Sequence, residues 1–524
     1  MTPHSVAARP LIVVLIPLLA VLACNAVAPP VPTPFLLPSP LVQPTSALFP
    51  SPTPAPTGVP TIGYRPVFEP AACAFAVPPG YSPACGYLVV PENRMRADSR
   101  WLQLHLAIFP NRTGLRRSDA VIHLAGGPGS SSLEEAGYLF ERGLGAVLDT
   151  RDLILFDQRG TGYSQPRLDC PERQALAPVL LEGHLPVEGN EQVILDAFRR
   201  CRDRLLAQGI DLSAYNSAAS AADLNDLRQA LGYEKLDLYA VSYGTRLALT
   251  LMRDYPQAVR SAVLDSVYPL QVNLYTALAP NAGRAFNVFF DRCAGDPACA
   301  ASFPDLRTVF FRLAGELNAD PIFVSLRAGG ADRTVRVDGG LLVDVLFTGL
   351  YNPAVTASMP RMIFDIRQGD YAILRQRLAL YFDSSSALGM QASVQCAEEI
   401  PFNTAQDAYA AAQGVEPEIA AYYPASVQPL FDLCREWTAV PPDPRENLPV
   451  SSAVPALILT GDGDPITPPD WGRMVAGEMS HAFYHEFPGN GHWVTRSSPC
   501  ALRMALAFWI DPGTDPSGVC QQSN

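Results

Sequence analysis

The chain is short of positive charge. Its 38 lysines and arginines against 51 aspartates and glutamates leave a formal net charge of −13. No basic field is available to gather phosphate backbones or anionic head groups, so nucleic acid is excluded as a natural partner. No C-x-x-C pair occurs among the 11 cysteines, which removes the usual signatures of a zinc site or a dithiol redox centre. Glycine-rich loops are present, but none ends in G-K-[ST], so a nucleotide cradle is not indicated. No motif implies a metal or an organic cofactor, and no internal repeat of useful period is visible. Histidine is scarce at seven residues, which shortens the search for a general base. Long apolar runs are also missing. The one candidate, LIVVLIPLLAVL at 11–22, is too short to span a bilayer comfortably.

That run follows Arg9 and ends at Ala23-Cys24, the layout of a signal peptide over residues 1–24. Val21-Leu22-Ala23-Cys24 resembles the lipobox of bacterial lipoproteins, in which the cysteine is lipidated and becomes the new N-terminus. Contact with the membrane would then be through this anchor only; ordinary cleavage nearby would instead give a freely secreted protein. Proline, 51 residues in all, crowds into the stretch from Val27 to about Pro60, where PPVPTPF and PSPTPAPTG favour extended polyproline and cannot form a core. Residues 25–65 are read as a disordered spacer. With Cys24 set aside, ten cysteines remain, an even number that reads as disulfides in an exported chain. Their order suggests sequential partners, Cys73–Cys85, Cys170–Cys201, Cys293–Cys299, Cys396–Cys434 and Cys500–Cys520, although sequence does not fix connectivity.

Beyond the spacer, CGYLVVPENR and WLQLHLAIFP read as a hairpin, and AVIHLAGG (120–127) and RDLILFDQRG (151–160) as buried strands ending in glycine turns. Helical spacing follows at 191–208 and 220–232, the second with Ser220 as its N-cap and Gly232 as its stop. KLDLYAVS, TRLALTLMRDYP and SAVLDSV continue as strand, helix and strand. Such alternation predicts an α/β fold, a mostly parallel sheet with helices on both faces. It breaks near Leu270 and resumes at VPALILTGDGDP (454–465), so the expected organisation is a core at 66–270, an inserted mainly helical cap at 271–450, and the rest of the core at 451–524.

KLDLYA runs through Val241-Ser242-Tyr243-Gly244 into a helix, the setting in which a nucleophile elbow lifts a serine hydroxyl, with Ala240 in place of the first glycine of G-x-S-x-G. A serine needs a base to take its proton, and the base needs a carboxylate to fix its tautomer. In the α/β-hydrolase order the acid and the histidine follow the serine at the ends of later strands. Asp464, in GDGDP, is the expected acid in preference to Asp462, and His492, in GNGH, the expected base; His481 and His485 are assigned to the strand before it. Oxyanion donors are expected from Gly126 and Gly127 in the loop after the 120s strand and from the N–H of Tyr243.

GGPGS (126–130), DQRGTGYS (157–164), VSYGTRLAL (241–249), GDGDPITP (461–468) and GNGH (489–492), in this order, resemble the proline iminopeptidase and tripeptidyl aminopeptidase family of serine peptidases. The likeness runs from about Cys85 to Cys520 and includes a C-terminal module holding Cys500 and Cys520. Where that family often has histidine directly before GGPG, this chain has Ala125, with His123 two residues earlier. The resemblance implies an α/β-hydrolase fold and hydrolysis of peptides from a free N-terminus through an acyl-enzyme on Ser242. An ammonium group calls for a desolvated carboxylate in the cap, and Glu398 and Glu399 are the candidates by analogy. Asp157 and Arg159 are expected to brace the active-site loop. Two other readings use the same chain: a carboxylesterase or lipase with the same triad, and a lipoprotein that keeps the fold only for binding. Oligomeric state is not indicated.

Overall fold

The computed structural model describes residues 63–520 except 116, 184–189, 383–385 and 439. Cys24, the signal-peptide stretch and nearly all of the proline-rich stretch lie outside the described residues. Nine strands form one sheet: β1 (Val67–Pro70), β2 (Ala84–Pro91), β3 (Trp101–Phe109), β4 (Asp119–Leu124), β5 (Asp152–Phe156), β6 (Lys235–Val241), β7 (Val259–Asp265), and two that return late in the chain, β10 (Ala456–Gly461) and β11 (Ala482–Phe487). Their order is β1-β2-β3-β5-β4-β6-β7-β10-β11. The pairings among β1, β2, β3 and β5 are antiparallel, and those from β5 onward are parallel.

The central strands are apolar on both sides because both faces are covered. In β6, Leu236, Leu238 and Ala240 join a cluster with Leu247 and Leu251 on one face, while Tyr239 and Val241 join Phe508 and Trp509 on the other. The covering helices include α2 (Ser217–Leu231) and α3 (Tyr243–Asp254) on the first face and α7 (Pro499–Ile510) on the second. α2 begins earlier than its sequence predicts. Asn216, not Ser220, is the cap, its side chain accepting from the N–H of Ala219, and Ser220 is buried inside the helix. Gly232 closes α2 in the left-handed region at φ 73°.

Between β7 and β10 the chain forms a third apolar cluster from α4 (Leu274–Gly295), α5 (Leu388–Glu398), α6 (Pro417–Trp437) and their neighbours. Two features add to the mainly helical pattern expected over residues 271–450. A hairpin of β8 (Ile322–Ala328) and β9 (Ala331–Val337) turns at Gly329-Gly330, both with positive φ, and it buries Val324, Leu326 and Val335. The helix α1 (Asn190–Ala207), earlier in the chain, packs with the cap: Phe198 meets Trp437 edge-on at 6.4 Å. Five disulfides join the ten cysteines as sequential neighbours; Cys396–Cys434 ties α5 to α6.

Candidate active site

Ser242 stands between β6 and α3 at φ 57° and ψ −127°, a conformation that a non-glycine residue holds only when its surroundings impose it. What imposes it is close approach of two turns. A Cβ on Gly244 would lie 2.0 Å from the carbonyl oxygen of Leu124, and one on Gly126 would lie 2.9 Å from Ser242 Cβ. Only glycine lets the loop after β4 lie against the elbow. Ala240 is fully buried and takes the first small position without displacing the strand. Tyr243 opens α3, so its N–H has no acceptor within the helix and is free to donate at the nucleophile. Gly126 leaves no room for a side chain beside the serine, and Gly127 next to it takes φ 106°.

Asp464 and His492 meet. The carboxylate Oδ2 lies 2.8 Å from the imidazole Nδ1, and Asp464 is wholly buried. Its other oxygen accepts the N–H groups of Ile466 (2.9 Å) and Thr467 (3.0 Å), and the Thr467 hydroxyl donates to Oδ2 at 2.6 Å. Burial alone would push this carboxyl up, but the imidazole and the threonine donors outweigh it and hold the group below the ordinary aspartate range. The acid is therefore held in its ionised form, as a tautomer-fixing partner must be. Tyr351 packs against the imidazole with ring centres 4.9 Å apart. Among the described residues no hydrogen bond joins Ser242 Oγ to His492; catalytic hydrogen bonds of this kind often form only once substrate is bound.

A residue not anticipated from sequence ties the serine and histidine loops together. Asp265, at the carboxyl end of β7, accepts the N–H of Ser242 on its main-chain oxygen (3.1 Å). Its buried carboxylate accepts the N–H groups of Val494 and Thr495 (2.8 Å each) and the Thr495 hydroxyl (2.6 Å). Ser266 next to it accepts the N–H of Trp493 at 2.7 Å. Asp157 braces the loop after β4, taking the Ser131 hydroxyl (2.7 Å) and the Leu133 and Tyr163 N–H groups. Arg159 makes two bonds to Asp223 and two more to main-chain carbonyls. His123 is packing, not chemistry: burial pushes it down to about 3, and its neutral ring contacts Ser132 Oγ and lies parallel to Trp493.

A strand-to-helix serine, a carboxylate–imidazole pair in loops after later strands and a glycine loop after β4 make a recognisable set. Residues 119–495 match the family model described as alpha/beta hydrolase fold. The chain belongs to the α/β-hydrolase family. Within it, the chain is similar to the serine protease Hip1 of Mycobacterium tuberculosis, at 25% identity over 83% of this chain and 86% of that one. It is also similar to the tripeptidyl aminopeptidase of Streptomyces lividans, at 31% identity over 35% of each chain. Among solved structures it overlaps the proline iminopeptidase-related protein of Thermus thermophilus, with 16% identity, 83% of this chain and 99% of that one covered, and a TM-score of 0.33.

This α/β-hydrolase, a serine hydrolase by family, places the two cap glutamates in different surroundings. Glu398 is committed to protein: its carboxylate accepts the Ser217 N–H (2.5 Å) and hydroxyl (2.7 Å) and pairs with Arg246 Nε at 3.1 Å, all buried. Ser217 Oγ in turn lies 2.8 Å from the Tyr243 phenol oxygen, one residue from the nucleophile. Glu399 points elsewhere, as adjacent residues do at a helix end. One oxygen accepts the Leu274 N–H at the start of α4 (2.8 Å), and the carboxylate faces Arg246 and Tyr268. Burial lifts its carboxyl above the ordinary glutamate range, against the pull of Arg246. Arg246 lies over the Tyr268 ring, which stacks on Trp471. His485 bonds Asp515 at 3.0 Å, and His481 lies just before β11 against Ser480. Among the described residues no cluster of three or more His, Cys, Asp or Glu is arranged to hold a metal ion, and no helix is long and apolar enough to cross a membrane.

Proposed function

We propose that this hydrolase is an exported serine aminopeptidase that cleaves peptides from a free N-terminus, with Ser242 as nucleophile, His492 as general base and then acid, and Asp464 as its carboxylate partner. His492 takes the hydroxyl proton as Ser242 attacks the scissile carbonyl. The oxyanion that forms is held by the N–H of Tyr243 and by the Gly126-Gly127 loop. Collapse passes the proton from His492 to the leaving amine, leaving an ester on Ser242. Water, deprotonated by the same imidazole, then releases the acid. Asp464 stays ionised throughout and balances the imidazolium.

The observation that carries the peptidase reading is the buried carboxylate pair Glu398 and Glu399, of which Glu398 reaches the Tyr243 phenol through the Ser217 hydroxyl. Glu398 forms the direct ion pair with Arg246, whereas Glu399 faces Arg246 without a direct ion pair, which leaves Glu399 as the group to meet a substrate ammonium. The names of the mycobacterial and streptomycete relatives support a peptidase. Five disulfides support an oxidising compartment, and lipidation at Cys24 would make the protein an anchored one.

The test is a panel of peptide amides with free and acetylated N-termini, run beside a simple ester. Free-amine substrates should be turned over and blocked ones should not. Glu399→Gln should raise KM for free-amine substrates by about 10- to 100-fold, the loss of one buried charge pair, with ester turnover retained. The acid limb has a definite sign. Because the Glu399 carboxyl is raised, it becomes neutral on acidification before an ordinary glutamate would, so KM for free amines should climb as pH falls through that region. Turnover confined to esters and blocked peptides would point to the carboxylesterase reading instead.

A further inference from the structure

The loops carrying Asp464 and His492 are held from outside the sheet. α4 crosses them with one face, and Asn281, Arg284 and Arg292 follow each other on it at helical spacing. Asn281 Nδ2 donates to the main-chain oxygen of Ile466 at 3.1 Å. Arg284 Nη1 donates to the carbonyl of Asp462 at 2.6 Å, and Nη2 to the carbonyl of Asp464. Further along, Arg292 pairs with the Asp462 carboxylate at 2.6 Å, and the other oxygen of that carboxylate accepts the Gly489 N–H at 2.8 Å, three residues before His492. The Gly463 N–H bonds the Asn490 carbonyl at 2.9 Å, closing the acid loop onto the histidine loop.

Arg284 is the unusual member. It makes no ion pair among the described residues, and its planar fork is committed to two carbonyls of one short loop. Two donors on a rigid plane fix the separation and tilt of residues 462 and 464 together, which a flexible lysine cannot do. We infer that Arg284 is a positioning residue: from the cap, it sets the main chain of Asp464 so that the carboxylate meets His492, and the proton relay is assembled by cap and sheet together. This rests on the Ser242–His492–Asp464 reading.

The full-length chain should be compared with Arg284→Ala, Arg284→Lys, Ser242→Ala and His492→Ala, reading fluorophosphonate labelling rate, kcat and KM on a small ester, and the denaturation midpoint. A displaced carboxylate predicts that Arg284→Ala lowers labelling rate and kcat together by about 100-fold, the scale of an ångström-sized misplacement. KM should move little, and added guanidinium should restore part of the rate. Arg284→Lys should fall between. A folded Arg284→Ala protein that labels at the wild-type rate overturns the inference; if that variant does not fold, wild-type labelling of Arg284→Lys overturns it equally. A cap-docking role alone would lower the midpoint and leave kcat and labelling unchanged. Labelling that survives Ser242→Ala would instead sink the triad reading itself.

Discussion

Ser242 is held in an unfavourable backbone conformation by the glycines around it, and that conformation exposes its hydroxyl beside the N–H of Tyr243. The nucleophile, acid and base candidates were all legible in the sequence, because small-x-Ser-x-Gly at a strand end, an aspartate in the loop after a later strand and a histidine after the last strand are each local signals with a required order. Asp265, Thr467 and Arg284 were not. Asp265 and Arg284 work by hydrogen bonding to main chain more than 170 positions away, Thr467 by its hydroxyl on the Asp464 carboxylate, and no local pattern announces such partners. A buried carboxylate at the C-terminal end of an apolar strand, as in SAVLDS, is the one signal that could have drawn attention to Asp265. Replacing Asp265 by alanine removes the acceptors of the Val494 and Thr495 N–H groups, each costing about 1–3 kcal/mol when left buried and unpaired. The expected outcome is a lower denaturation midpoint together with a fall in kcat larger than any change in KM. A variant that loses stability but retains kcat would show that Asp265 supports the fold without placing His492.

At the scale of elements, the parallel strands were the most readable part. Burial on both faces forces an unbroken apolar run, as in β6 and β10, and a run of that length bounded by turn residues fits little else. Helix ends were less so: the sequence offers Asn216, Ser217 and Ser220 within five positions, and Ser220 is fully buried instead of capping. Asn216→Ala should cost about 1 kcal/mol in urea unfolding, whereas Ser220→Ala should leave the α2 terminus intact. Equal losses from the two would contradict the observed cap. The β8–β9 hairpin was not legible although Val324, Leu326 and Ala328 alternate with exposed residues, because a short two-stranded unit embedded in helical patterns is outweighed by them. β1, four residues long and largely exposed, has no apolar pattern to read.

Across the molecule, the sheet contributes the ends of β6, β7 and β10 and the loop after β11, while the cap contributes α4 from one side and Glu398 and Glu399 from another. The Cys396–Cys434 bridge fastens the glutamate-bearing end of α5 to α6, so the Glu398–Glu399 turn is held by covalent as well as hydrogen-bonded contacts. Insertion of the cap between β7 and β10 explains why residues 242 and 464 are far apart in sequence and yet sit at the ends of strands in one sheet. The central claim is that this convergence makes one serine, and no other, a nucleophile. It is tested most directly by labelling the intact protein with a fluorophosphonate and mapping the modified residue by peptide mass spectrometry. The account predicts a single adduct on Ser242, abolished by Ser242→Ala and slowed by about 1,000-fold or more in His492→Ala. An adduct on another residue, or a labelling rate indifferent to the loss of His492, would contradict it.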